Sequence, residues 1–127
     1  MELDGLLTVE EHQSGAKCHL VDKKGLPVDA FVIVCGQDSA NYRMAKRSQR
    51  RAVLELQEKK VDFNTYDFFP LDVEFVCSVI TGWGDITSKG EPVEFSKEAA
   101  LELFLNSPQN VDKVLTFCGD RENFIKG

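Results

Sequence analysis

Four cysteines, Cys18, Cys35, Cys77 and Cys118, and two histidines, His12 and His19, are the side chains best equipped for nucleophilic or metal chemistry. Cys35 with His19 would make a thiolate–imidazole couple, and Cys35 stands just before Gly36 at the end of an apolar run, where enzymes often present reactive groups. The flanking sequence works against the pair. If Lys24-Gly25 centre a hairpin turn, paired positions sum to about 49, so Cys35 faces about Ser14 and lies roughly 16 Å from His19 at strand spacing. The cysteines sit among apolar neighbours with no C-x-x-C pair, the pattern of reduced core thiols rather than a disulfide frame or a zinc site. His12 reads as a surface residue and His19 as a strand residue. Carboxylates such as Glu94 and Glu98 fall at helix starts and in turns, where solvation explains them. No G-x-G-x-x-G, Walker, H-E-x-x-H, G-x-S-x-G or calcium-loop pattern occurs. These residues point to a binding protein without a catalytic centre, metal or cofactor.

Charge is distributed more tellingly than chemistry. Residues 43 to 60 hold seven basic side chains (Arg43, Lys46, Arg47, Arg50, Arg51, Lys59, Lys60) against Glu55 and Glu58, a local charge of +5. Against the chain total of −6, that leaves −11 on the rest. Arg43, Lys46, Arg47 and Arg50 recur at i, i+3, i+4 and i+7, one stripe of a helix. Such a stripe is most simply a solvated face, and it is a candidate contact for an acidic partner. It lacks the interleaved aromatics and Asn/Gln groups that read bases, so a nucleic-acid role is a minority reading.

The elements that must carry these residues run strands first and helices afterwards, an α+β order within one domain of 127 residues. Residues 16 to 22 and 28 to 35 flank Lys23-Lys24-Gly25-Leu26-Pro27 and read as a hairpin. Leu3, Leu6 and Leu7 suggest a third strand. Asp38 or Ser39 caps a helix over about 40 to 60, whose apolar side is Tyr42, Ala45, Ala52, Val53 and Leu56. Residues 65 to 83 mix strand propensity with a helical stripe of Phe75, Val76, Val79, Ile80 and Trp83, and the stripe favours a helix from Pro70. Gly84 to Pro92 form a loop or short hairpin, and Ser96 caps a helix from Lys97 to Leu105. Ser107 and Pro108 open a last helix with Val111, Val114, Leu115, Cys118 and Ile125 buried. That makes a small antiparallel sheet packed with about four helices. No apolar run spans a bilayer and the N-terminus lacks a signal pattern, so the expected compartment is the cytoplasm.

The ordered set Gly82-Trp83-Gly84-Asp85-Ile86, Gly90-Glu91-Pro92-Val93-Glu94-Phe95-Ser96, then Leu101, Leu105 and Pro108, resembles the tail assembly chaperones of long-tailed phages, the G-type proteins of lambda-like siphophages. The match covers about the last third of the chain. The resemblance implies an α+β fold, work in the infected host's cytoplasm and transient binding to the tape measure protein. It also implies a longer, frameshifted product of the same message as a further partner. It assigns no binding residue.

From the residues themselves, Phe117 and Phe124 are seven apart and lie off the apolar stripe of the last helix, so they are a candidate partner seam beside Arg43, Lys46, Arg47 and Arg50. Trp83, between two glycines, is expected to plug the core. The polarised charge suggests weak head-to-tail self-association. Two other functions compete: a structural tail-completion or connector protein, and a small nucleic-acid regulator using the basic helix.

Overall fold

The structure, a computed structural model, describes residues 1–125. Two strands, β1 (Ala16–Val21) and β2 (Pro27–Val34), form the hairpin expected from the Lys-Gly-Leu-Pro turn, antiparallel with Ala16 opposite Val34 and His19 opposite Phe31. Asp22 closes the turn by accepting the Lys24 and Leu26 amides on its carboxylate. Alternation sends Cys18, Leu20, Val32 and Val34 into the core.

Ser39 caps α2 (Ala40–Glu58) by accepting the Tyr42 amide at 3.1 Å, and its own hydroxyl donates to the Gly36 carbonyl at 2.7 Å. Tyr42, Ala45, Ala52, Val53 and Leu56 turn inward as their period requires, with Ala45 buried and the rest half-buried. The next helix, α3 (Phe69–Val79), begins with proline in its first turn and buries Val73, Phe75, Val76, Cys77 and Val79. It is the hydrophobic centre of the molecule.

Here the helical stripe misleads. The chain leaves helical geometry at Ile80 and becomes β3 (Ile80–Gly84), which pairs antiparallel with β2 to give a three-stranded sheet in the order β1-β2-β3. Thr81, Gly82 and Trp83 suit a strand or its irregularity, and the open edge of β2 supplies backbone partners that a lone helix turn cannot match. Gly84 lies opposite Phe31, where an added Cβ would meet the ring at 2.5 Å. Trp83 is half-buried rather than a core plug, and its indole N–H donates to the Val93 carbonyl at 2.8 Å while its ring stands edge-on to Phe95.

A two-residue hairpin, β4 (Thr87–Ser88) with β5 (Glu91–Pro92), fills the glycine-rich stretch. Ser96 caps α4 (Lys97–Leu105) through the Ala99 amide. Pro108 opens α5 (Pro108–Gly119), but Ser107 is not its side-chain cap and instead donates to the Leu103 carbonyl at 2.7 Å. At the other end Leu3, Leu6 and Leu7 form no strand: Leu3–Leu6 make a 3-10 turn and Val9–Ser14 a short helix, α1. The α+β class holds, with five α-helices among the described residues where about four were expected.

Candidate partner-binding site

The expected phenylalanine seam does not exist as a surface. The last helix stops at Gly119, a separate 3-10 turn (Arg121–Phe124) folds back, and Phe124 ends 1% exposed between Phe117 and His12. Phe117 is half-buried against it. Gly119 breaks the periodicity on which the seam depended, and the same break puts Ile125, expected inside, on the surface.

His12, expected outside, is 3% exposed. Its Nδ1 accepts the Asp38 amide at 2.9 Å, and its backbone carbonyl accepts the Gly36 amide. Glycine is required at 36 because an added Cβ would stand 2.4 Å from that imidazole nitrogen. Asp38 receives two Arg121 guanidinium hydrogen bonds at 2.8 Å and a third from the Thr8 hydroxyl. Those donors, Arg121 first and Thr8 second, hold its carboxyl well below the usual carboxylate range. Asp38 thus joins α1, the β2–α2 connection and the C-terminal turn. Nothing local in the sequence signals this, because the partners are 30 and 83 residues away.

The thiols are insulated, as expected of core cysteines. Cys18, Cys35, Cys77 and Cys118 are all buried and free. Burial pushes the Cys18 thiol up to about 11 and Cys118 to about 12, and raises Cys35 and Cys77 as well. His19 and Cys35 do not meet: His19 pairs with Phe31, four residues short of Cys35 along β2, or roughly 13 Å at strand spacing.

The basic stripe is where periodicity put it. Arg43, Lys46, Arg47 and Arg50 are exposed on α2. Arg43 Nε donates to the Ser39 carbonyl, and the Lys46 ammonium stands 5.5 Å from the Phe75 ring centroid and 5.8 Å from that of Tyr42.

A concave surface lies on the other flank of α2. Two adjoining depressions, about 340 and 400 Å³, share Ala45, Ser48, Ser78 and Lys97 and so form one trough over the outer side of α3. Small residues on α2, Ala45 and Ser48, leave the space open. Leu71, Phe75 and Leu101 give it an apolar lining at one end and Met44 and Ile80 at the other, with Gln49, Glu74, Ser78 and Lys97 as polar fixtures. Sequence reasoning missed this trough. Its signal, small residues on the flank of an amphipathic helix, is shared by ordinary close packing. Comparison with protein-family models, curated proteins and solved structures gave no match.

Proposed function

We propose that this chain is a phage tail assembly chaperone that holds an apolar helix of the tape measure protein in the trough between α2 and α4 until the tail tube encloses it. The observation that carries this reading is the trough itself, an open channel of mixed polar and apolar lining that includes the exposed Met44 and Leu101. A helix presents anchors at i, i+3, i+4 and i+7, and such a channel accepts them. The polar fixtures limit affinity, which suits a partner that must be released. The similarity of residues 82 to 108 to the tail chaperones supplies the particular partner, together with the host cytoplasm as the place of action and a longer frameshifted product of the same message.

Co-expression with the tape measure protein of the same phage tests it. Wild type should keep that protein soluble and co-purify with it. Ser78→Arg combined with Leu101→Asp, two exposed positions that would fill and charge the trough, should melt like wild type and lose the partner. Retention by the double variant removes the trough from the proposal, and failure of wild type removes the chaperone. Mass spectrometry of purified virions is the companion measurement: a chaperone is absent from them, whereas a connector protein remains.

A further inference from the structure

The outward ridge of α2 and the segment preceding α1 are opposite in charge and alike in exposed apolar character. Arg43, Arg47, Arg50, Arg51 and Leu54 recur at i, i+4, i+7, i+8 and i+11, within an arc of roughly 100° facing away from Ala45 by helix geometry. All five are exposed, Leu54 to 52%. The Arg121–Asp38 ion pair does not involve these arginines, which stand on an exposed helix face.

Residues 1 to 16 contain no lysine or arginine. There Glu2, Asp4 and Glu10 are exposed among Leu3, Leu6, Leu7 and Val9, whose exposures are 67%, 62%, 57% and 54%. Leu6, Leu7 and Val9 line one shallow depression with Thr8, Glu10, Gln13 and Ser14, so they form a patch rather than scattered singles.

Within one chain the N-terminal region attaches at the start of α2, well short of Leu54 at the far end of the ridge. Thr8 and Gln13 tie the N-terminal region to Asp38, Ala40 and Asn41 at the start of α2, while the backbone hydrogen bonds of Gly5 and Leu7 reach only Glu2 and Asp4. Leu54 stands roughly 21 Å further along α2 at ~1.5 Å per residue. We propose that the acidic, leucine-rich N-terminal segment of one copy docks on the arginine–leucine ridge of α2 in a second copy. Each copy then carries one of each surface, so contacts are heterologous and pass from copy to copy into a ring or an open row. Leu6 and Leu7 cover Leu54 while the arginines take Glu2, Asp4 and Glu10. The proposal stands independently of the tape measure reading, because neither surface lines the trough.

Sedimentation velocity on the purified full chain tests it. Wild type should associate at low salt and high protein concentration. It should weaken by roughly tenfold or more at about 1 M salt, where the screening length is about 3 Å. Leu6→Ser/Leu7→Ser and Arg47→Glu/Arg50→Glu should each be monomeric alone, with unchanged circular dichroism and melting. Mixed in equal amounts they should form a dimer, because each retains the surface the other has lost. A monomeric wild type, a ridge variant that associates like wild type, or a mixture that stays monomeric overturns the proposal. If the leucine variant fails to fold, Glu2→Lys/Asp4→Lys/Glu10→Lys takes its place in the same mixing experiment.

Discussion

The Asp38 carboxylate takes donors from two distant stretches of chain, Thr8 and Arg121, and its ionisation therefore enters the stability of the whole. Its folded carboxyl is held below the ordinary value, chiefly by Arg121 and then by Thr8. A group with a depressed folded value contributes stability above its unfolded value, near 3.9, and loses that contribution as the pH falls below it. Wild type should melt above Asp38→Asn at pH 7, and the gap should shrink below about pH 4 and then close. A constant gap in melting scans across pH would show that the aspartate acts by shape alone. The cysteines carry a second prediction. With all four thiols buried and shifted upward, native protein should react with a thiol reagent at neutral pH far more slowly than unfolded protein, which should titrate as four thiols. Fast native labelling of Cys35 would reopen it as a nucleophile. At this scale composition was a good guide to the cysteines and a poor one to His12. A histidine among Glu10, Glu11 and Gln13 looks solvated, and only the distant Asp38 amide and Phe124 ring explain its burial.

Among the elements, those whose signals are local could be read from the sequence: the hairpin turn, the Ser39 and Ser96 caps, and proline in the first turns of α3 and α5. The β3 strand could not, since its justification is the edge of β2 some 50 residues earlier in the chain. The seam failed for a related reason, as a helical period was carried past Gly119, where α5 ends. Phe124→Ala should accordingly cost about 3 to 5 kcal/mol of stability as a buried aromatic truncation, measurable by denaturant unfolding. A loss below 1 kcal/mol on that scale would mean the C-terminal turn is not packed as described. Asn110 deserves the same treatment. Its side-chain amide accepts the Val21 amide at 2.8 Å and donates to the Val21 carbonyl at 3.1 Å, so α5 supplies both backbone partners that β1 lacks at its irregular end. Asn110→Ala should destabilise by about 1 to 3 kcal/mol by leaving both groups unpaired. Asn110→Asp should also destabilise, because a carboxylate cannot donate to the carbonyl. An aspartate variant as stable as wild type would show that the donated bond contributes nothing.

For the molecule as a whole, class and charge polarity were legible while the trough was not. A net charge can be counted along a chain, but the trough depends on how α2, α3 and α4 meet. No described helix is long and apolar enough to cross a membrane. The strand order has a further consequence, in time rather than space. The β1–β2 hairpin closes a loop of a few residues, whereas β2–β3 pairing must first bring together positions such as Val32 and Trp83, with two helices strung between them. Loop-closure entropy grows only logarithmically with length, so the delay comes less from distance than from the need for α3 to form and dock before Ile80 can turn into the sheet. The hairpin and α2 should acquire amide protection first after dilution from denaturant, and β3 together with the Cys35 amide, which donates to Val79, should acquire it last. Pulsed hydrogen exchange would resolve that sequence, and simultaneous protection of all three strands would indicate a single concerted step. Until β3 arrives, one long edge of β2 stays open, and the chain is at its most vulnerable to pairing with a neighbour during that interval.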